Sequence, residues 1–361
     1  MAFLSFLGNK KSASVLGVDI GSSSLKVVQL RKEGGKAVLE TYGELALGPY
    51  GGAAVGQATN LSPEQITETL KDLLREAKVT AKECGVSIPY ARSLLSLVTL
   101  PRRNDPAEQK TVIELEARKF IPMPISEVQL DWFIVLETEL GATPSDKIEV
   151  LLVAVQNDEL KLLESVVKGA GLAARFYEIE IFSTIRAAVE EPLKPVMVLD
   201  IGAGSTKTYI VERGIVARSH SIPVGSQDIT RALAASANLT IARAEALKKE
   251  EGLSADETLG GSGTHATLEL VFSRIFSEAK RLLMQYETES KKPVSAIVLA
   301  GGGGVTKELG EYAKRTFSID VRIADPFNKT EAPAFMRPVL EEIGPEFTVA
   351  VGLALRQLGE G

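Results

Sequence analysis

The chain has 361 residues, and its 41 Lys and Arg against 47 Asp and Glu give a formal net charge of −6. This acidic balance argues against nucleic acid as a partner, because binding phosphate backbones needs a basic face. No apolar stretch approaches the roughly 20 residues that cross a bilayer, so we expect no transmembrane segment. A single cysteine, Cys84, excludes a disulfide within the chain and indicates a cytoplasmic protein. The apolar segment 1–7 is too short for a signal peptide. It predicts a frayed or packed tail, with a weak membrane anchor as the alternative.

A short motif occurs twice, once in each half of the chain. It reads Asp19-Ile-Gly21-Ser-Ser-Ser24-Leu-Lys26 in the first copy and Asp200-Ile-Gly202-Ala-Gly-Ser205-Thr-Lys207 in the second. An apolar run precedes each Asp, and a second strand-like run follows each turn, so each copy predicts a strand, a glycine-containing turn and a strand. We therefore expect two halves of similar plan.

The two turns have the chemistry of a phosphate site. Glycine lets the backbone approach a phosphate closely, and successive amide groups form an anion-binding concavity. The candidate phosphate-contacting residues are Gly21, Ser22, Ser23, Ser24, Lys26, Gly202, Ala203, Gly204, Ser205 and Thr206. Asp19 and Asp200 end strands where open α/β sheets bind ligands, and we expect them to hold Mg²⁺ through its waters. A single turn of this kind is more typical of an ordinary hairpin, but the Asp shared by both copies favours a binding site.

Further elements follow in chain order. Ser62 and Pro63 predict the start of a helix over 61–78. The segment 86–171 has its own strand–helix–strand–strand–helix pattern, with a turn-rich stretch at 141–146. In the second half, one helix is expected to end at Gly252, and a long helix is expected to begin with Thr264 as its cap. A buried strand over 295–300 then leads into a ligand-accommodating glycine cluster made of Gly301, Gly302, Gly303 and Gly304.

The three glycine-containing motifs, in this order, resemble the two phosphate loops and the adenosine loop of the actin-like ATPase superfamily. The segments 177–188 and 347–355 resemble its two connecting helices, and small residues in the second predict a close helix crossing. The resemblance implies an α/β fold with two RNase-H-like halves around a cleft that binds ATP and Mg²⁺. Three stretches, at 17–30, 114–132 and 272–286, resemble the PilM family of type IV pilus assembly proteins within the FtsA-like branch.

This resemblance implies four subdomains and further site residues. Subdomain 1A comprises 1–85, 172–195 and 343–361; subdomain 1C comprises 86–171; subdomain 2A comprises 196–228 and 293–342; and subdomain 2B comprises 229–292. Glu245 and Lys248 are expected to face the ribose and adenine, the alternative being an exposed helix face with charge pairs. Glu178 and Glu180 are the candidates for positioning a catalytic water, with Glu178 standing where the family often has Asp.

The leading functional hypothesis is a cytoplasmic, ATP-binding scaffold that is attached to the inner membrane through partner proteins. The resemblance implies that it binds the N-terminal cytoplasmic tail of a PilN-like membrane protein in a groove between subdomains 1A and 1C, with slow ATP hydrolysis at most. Self-association stays open. Two alternatives are a small-molecule kinase, which needs a catalytic base and a polar acceptor pocket, and an FtsA-like division protein. The latter predicts a C-terminal amphipathic membrane helix, which we do not expect in a chain that ends at Gly361.

Overall fold

The computed structural model describes residues 14–135, 146–191, 193–254 and 261–359. The tail at 1–7 and most of the turn at 141–146 therefore lie outside the described residues. The strands are β1 (Val15–Ile20), β2 (Ser24–Glu33), β3 (Lys36–Ala46), β4 (Glu83–Ile88), β5 (Ser93–Pro101), β6 (Val128–Val135), β7 (Lys147–Gln156), β8 (Ala173–Ile179), β9 (Val196–Ile201), β10 (Thr206–Glu212), β11 (Ile215–Ile222), β12 (Ala296–Ala300) and β13 (Asp320–Ile323). The α-helices are α1 (Pro63–Glu76), α2 (Pro106–Ala117), α3 (Asn157–Gly169), α4 (Glu180–Ala188), α5 (Ser226–Ala237), α6 (Ile241–Glu251), α7 (Gly261–Ser290), α8 (Leu309–Phe317) and α9 (Arg337–Gly359).

Two five-stranded sheets share one topology. Their strand orders are β3-β2-β1-β4-β8 and β11-β10-β9-β12-β13. In each sheet the first three strands form an antiparallel meander, and the last two join the central strand in parallel. All six residues of β1 and of β9 are buried, as expected for strands covered on both faces. The prediction of two halves of similar plan is confirmed.

A third, antiparallel sheet has the order β5-β7-β6 and packs α2 against one face. It is narrower than the predicted segment 86–171. The boundary at residue 86 falls inside β4, whose last three residues pair with β8 in the first sheet. Helix α3 buries Leu163, Val166 and Val167 in the core of the first half, because these apolar residues recur on one helix face. The additional sheet therefore spans 93–156.

The chain returns to the first half earlier than the predicted boundary at residue 343. Phe327 and Leu340 pack into a cluster with Val28 and Leu30 of β2. Backbone hydrogen bonds join Glu331 to the outer edge of β3, with Leu39 N donating to Glu331 O at 2.8 Å. Residues from about 327 onward therefore belong structurally to the first half, since they cover apolar surface of β2 and β3 that would otherwise face water.

The predicted helix ends are close to those observed. Ser62 caps α1 through a reciprocal capping box: its hydroxyl accepts from Gln65 N at 3.3 Å, and Gln65 Oε1 accepts from Ser62 N at 3.0 Å. Helix α6 ends before Gly252, which has a φ of +58°. The long helix α7 begins at Gly261 rather than with Thr264 as its cap, so Thr264 lies within its first turns.

Helices α4 and α9 cross at very short range. A Cβ atom at Gly352 would overlap the carbonyl oxygen of Ser183, and a Cβ at Gly17 would overlap the carbonyl oxygen of Ala350. Helix α9 thus packs between α4 and β1 only because glycines stand at both contacts. The predicted close crossing of the connecting helices is confirmed.

We expect Gly352→Ala to lower the free energy of unfolding by about 3 kcal/mol, at the upper end of the usual cost of overpacking. The clash is with backbone, so no side-chain rotation relieves it. The matched control is Gly310→Ala in α8, where a Cβ meets nothing within 4 Å. This control should be neutral or stabilise by up to about 1 kcal/mol. Urea denaturation followed by circular dichroism measures both, and equal stability of the two variants would contradict the packing argument.

Candidate functional site

A cleft of about 560 Å³ opens beside the carboxyl ends of β1 and β9. It brings together residues from both repeated turns, the third glycine cluster and α6. The sequence-predicted residues that line it are Asp19, Gly21, Ser22, Ser23, Ser24, Lys26, Glu180, Asp200, Gly202, Ala203, Glu245, Lys248, Gly301 and Gly302. Segments far apart in sequence thus converge on one cavity, because the two central strands end beside each other.

Five predicted residues do not line the cleft but belong to the turns that form it: Gly204, Ser205, Thr206, Gly303 and Gly304. Thr206 is fully buried, and its hydroxyl donates to Val224 O at 2.8 Å. Ser205 closes the second turn by accepting from Gly202 N at 3.0 Å. A Cβ at Gly303 would overlap the Ile201 side chain. Their small size or hydrogen bonding is therefore needed to form the turns.

The Asp19 and Asp200 carboxylates are both buried at the cleft floor. Asp19 Oδ1 accepts a hydrogen bond from Ser87 Oγ at 2.8 Å. Burial raises the pKa of Asp19 to about 6, against the opposing effect of Lys26. Burial likewise raises the pKa of Asp200, which Lys207 counteracts. Removal from water makes both carboxylates costly to charge on their own, so both gain from a cation.

Gly301 brings bare backbone against one of these carboxylates. Its φ is +77°, in the left-handed region, and a Cβ there would stand 2.5 Å from Asp200 Oδ1. Its amide donates to Pro345 O of α9 at 2.9 Å. A side chain at this position would therefore fill the space beside Asp200, and the glycine keeps that space open.

Lys26 and two glutamates form a charged group on the first-half side of the cleft. Lys26 Nζ donates to Ser24 Oγ at 2.6 Å and lies 3.0 Å from Glu44 Oε1. Burial and the neighbouring Glu44 raise the pKa of Glu346, which lies on α9. Sequence reasoning missed both glutamates. Glu44 comes from the neighbouring strand β3 and Glu346 from a distant helix, so no local motif includes them.

Lys207 links two carboxylates on the other side. Its ammonium donates to Glu180 Oε2 at 2.8 Å and lies 3.5 Å from Asp200 Oδ2. Burial acts to lower the pKa of Lys207, but Asp200 and Glu180 together hold it above its usual value. The other oxygen of Glu180 accepts from Tyr90 N at 2.7 Å. Lys207 was not among the predicted site residues, although its place in the repeat, equivalent to that of Lys26, was a signal for it.

Glu245 and Lys248 form a buried pair at the far end of the cleft. Lys248 Nζ donates to Glu245 Oε2 at 2.7 Å and to Thr230 Oγ1 at 3.1 Å. Lys248 is only 7% exposed, and burial lowers its pKa. The alternative of an exposed helix face is therefore wrong for this pair, which faces the cavity.

A loop from the first half reaches across to the second half beside this pair. Ala58 N donates to Gln227 Oε1 at 3.1 Å, and Arg231 Nε donates to Gln57 Oε1 at 3.3 Å. Gly56, with a φ of +84°, lies beside the Glu245 carboxylate. These contacts bridge the two halves at one side of the cleft.

Glu178 is not in the cleft, and its predicted role of positioning water is corrected. It is 6% exposed, and its carboxylate accepts from Arg186 at 2.7 Å and from Arg356 at 2.8 Å. Burial acts to raise the pKa of Glu178, but the arginines hold it below its usual value. Its oxygens are committed to an ion-pair network that joins β8, α4 and α9.

The donor set fits a magnesium nucleotide. Glycine turns leave room for phosphates, and lysines and serine hydroxyls supply cationic and neutral donors. Among the described residues no group of three or more His, Cys, Asp or Glu side chains converges as a metal cage. Two buried carboxylates suit Mg²⁺ instead, because Mg²⁺ commonly takes one or two carboxylates and completes its shell with water and phosphate oxygens.

Comparison with known proteins now identifies the family. A family model described as type IV pilus assembly protein PilM matches residues 17–358. The chain belongs to the PilM family. A solved PilM-PilN type IV pilus biogenesis complex is similar in structure, with 26% sequence identity, a TM-score of 0.78, and coverage of 95% of this chain and 98% of that chain. The resemblance found in the motifs is confirmed.

More distant relatives place the PilM family within a wider fold. MreB 5 of Spiroplasma citri, in a structure bound to AMPPNP, has 14% identity, a TM-score of 0.56, and coverage of 97% and 98% of the two chains. Cell division protein FtsA of Neisseria meningitidis serogroup B is 24% identical over 351 residues, with 86% of this chain and 82% of FtsA covered. The fold is the actin-like ATPase fold.

Within the described residues, no helix has the length and apolar character needed to traverse a membrane.

We expect Glu178→Gln to lower the free energy of unfolding by about 1–3 kcal/mol, because two arginines lose their charged partner. The loss is limited because water partly screens both arginines. Nucleotide affinity should not change, because Glu178 lies outside the cleft. The matched control is Glu68→Gln, which breaks an exposed pair with Lys71 and should cost under about 1 kcal/mol. Thermal denaturation and nucleotide titration test this. Lost nucleotide binding at unchanged stability would restore a role for Glu178 in the cleft.

Proposed function

We propose that this protein is a cytoplasmic, ATP-binding scaffold of the inner-membrane type IV pilus assembly platform, and that it binds the N-terminal tail of a PilN-like membrane protein. The observation that carries the proposal is the cleft in which both repeated turns and both buried aspartates meet. Membership in the PilM family and similarity to a PilM-PilN complex support the choice of partner. Attachment to the inner membrane follows from that partner.

In this proposal the turns at 21–24 and 202–205 surround the phosphates of ATP. Asp19 and Asp200 hold Mg²⁺ through water, and the metal neutralises phosphate charge when bound. Lys26 adds a second cation on the first-half side. Glu245 and Lys248 face the ribose and adenine, with Gly301 and Gly302 providing bare backbone for the flat base.

The partner tail is assigned to an apolar groove of about 660 Å³ beside the third sheet. Its walls come from β6, β7, α4, the segment before β9, and the β10–β11 turn. Its apolar lining residues are Trp132, Phe133, Val135, Leu151, Val153, Phe182, Leu193 and Ile215. Phe133 is 56% exposed and Leu193 is 79% exposed. Burying such side chains under a peptide is favourable at about 25 cal/mol per Å².

The geometry of β6 also suits an extended peptide. Strand β6 stands at the edge of the third sheet and pairs only with β7 within the described part of the chain. The edge of β6 opposite β7 carries backbone donors and acceptors beside the apolar lining. A peptide that adds to such an edge gains backbone hydrogen bonds and places alternate side chains in pockets.

Cleft and groove share helix α4. Its first residue, Glu180, lines the cleft, and Phe182 and Arg186 line the groove. A shift of α4 on nucleotide binding therefore changes both sites at once. Because such coupling is reciprocal, ATP and tail affinities should change by the same factor.

The surroundings of Glu180 do not favour the kinase alternative. A phosphoryl transfer to a small molecule needs a carboxylate that can accept a proton from the substrate. Glu180 is the cleft carboxylate on the first connecting helix, and both of its oxygens are hydrogen-bonded, to Tyr90 N and Lys207 Nζ. The same arrangement agrees with slow hydrolysis, in which ATP acts as a ligand.

We expect Asp19→Ala and Asp200→Ala each to weaken binding of magnesium nucleotide by about 10- to 100-fold, the usual loss for a charge-assisted contact. Titration with a fluorescent ATP analogue measures the dissociation constants. Asp320→Ala, which removes an exposed carboxylate on β13, is the matched control and should leave affinity unchanged. Wild-type affinity in both cleft variants would refute the site assignment.

We expect Phe133→Asp to weaken binding of the PilN-like tail by about 10- to 100-fold, because an aromatic anchor is replaced by a charge in an apolar groove. Leu270→Asp, at a 72% exposed position on α7, is the control for adding a charge at an exposed apolar site. Fluorescence anisotropy of the labelled tail peptide reports the affinity. If both variants bind the tail like the wild type, the groove is not its site.

A further inference from the structure

The repeated motif contains two lysines at equivalent positions, and their carboxylate partners differ. In the sheets, Lys26 stands opposite Asp19 and Lys207 stands opposite Asp200. The Lys26 ammonium, however, lies 3.0 Å from the carboxylate of Glu44. Lys26 thus pairs with a glutamate on the neighbouring strand, whereas Lys207 pairs with Glu180 of α4 and with Asp200. The two equivalent lysines therefore have different partners.

The Lys207 ammonium lies at the second phosphate turn. It is 3.6 Å from the position that a Cβ would take at Gly202, and it lies between Glu180 Oε2 at 2.8 Å and Asp200 Oδ2 at 3.5 Å. The Lys207 side chain is only 16% exposed and lines the cleft. A fixed positive charge thus stands beside the bare backbone of the turn, held in place by two carboxylates.

We propose that Lys207 is a built-in counter-cation of the second phosphate loop, and that it makes nucleotide binding partly independent of divalent metal. The inference rests on the proposed nucleotide-binding function. Phosphates placed at the turn gain a charge-assisted interaction with the ammonium. In a buried site such an interaction is stronger than in water. Lys207 therefore supplies part of the charge neutralisation that the metal and Lys26 would otherwise provide.

The position of the Lys207 ammonium also weakens the contribution of a bound metal to nucleotide affinity. A divalent cation held near Asp200 experiences repulsion from the ammonium 3.5 Å from that carboxylate. Lys207 also offsets some of the negative charge that would attract the metal. Both effects reduce the difference between nucleotide affinity with metal and without it.

The test measures that difference on the full chain. The dissociation constant of a fluorescent ATP analogue is determined in excess Mg²⁺ and in EDTA. The constant in EDTA divided by the constant in Mg²⁺ is then compared between variants. For the wild type we expect a ratio below about 10, and for Lys207→Met a ratio about 10- to 100-fold larger, the size of one charge-assisted contact. Lys207→Arg keeps the charge and should keep a ratio close to the wild-type value.

A second variant guards against loss of folding. Lys207→Met leaves the Glu180 charge without its cation, which can destabilise the chain. The double variant Lys207→Met/Glu180→Gln removes both charges of the pair and should also show the enlarged ratio. Its matched control is Lys36→Met/Glu331→Gln, which removes an exposed ion pair away from the cleft and should keep the wild-type ratio.

The outcomes separate this inference from the proposed function. If the wild type binds nucleotide and its ratio equals that of Lys207→Met and of Lys207→Met/Glu180→Gln, the role of Lys207 is overturned. The ATP-binding proposal then still stands. Absence of wild-type binding, both in Mg²⁺ and in EDTA, overturns both. An enlarged ratio in the Lys207→Met variants but not in Lys207→Arg supports the counter-cation.

Discussion

Each half of this protein buries an aspartate near the end of a central strand that is otherwise apolar. A carboxylate in that position needs partners, because isolated burial of charge is costly. Ser87 donates a hydrogen bond to Asp19, and the positive charges of Lys26 and Lys207 stabilise Asp19 and Asp200 respectively. The glycine-containing turns that follow give both carboxylates access to the cleft. The arrangement of loops, lysines and cavity therefore follows from these two buried charges.

The connection between the halves depends on close helix packing. Helix α9 passes over the first sheet and crosses α4 at Gly352, while α4 begins at the cleft and ends beside the groove. The Glu178 network then ties β8, α4 and α9 together through two arginines. A rigid crossing of this kind lets a small displacement at the cleft reach the third sheet, since packed interiors transmit strain.

Sequence reasoning predicted the parts of the structure that local patterns specify. The turn residues, the cap at Ser62 and the two central strands each follow from neighbouring residues, and their repetition indicated the two halves. Glu44 and Glu346 could not be predicted in this way, because strand pairing and the path of α9 bring them to Lys26. Glu178 was misplaced in part for the same reason: one of its two arginine partners, Arg356, is far along the chain. The return to the first half near Phe327 follows from apolar surface on β2 and β3, which no motif reveals.

The backbone pairing of Glu331 with β3 has a consequence for solubility. Strand β3 forms one edge of the first sheet, and an open edge is a template on which another chain can add a strand and begin an aggregate. Glu331 N donates to Ala37 O and Glu331 O accepts from Leu39 N, so these hydrogen bonds occupy part of that edge. The Lys36–Glu331 ion pair places charge beside it. The segment that carries the chain back to its first half thus also protects that edge, so a truncation before it would remove both a core-covering segment and a guard against edge-to-edge association.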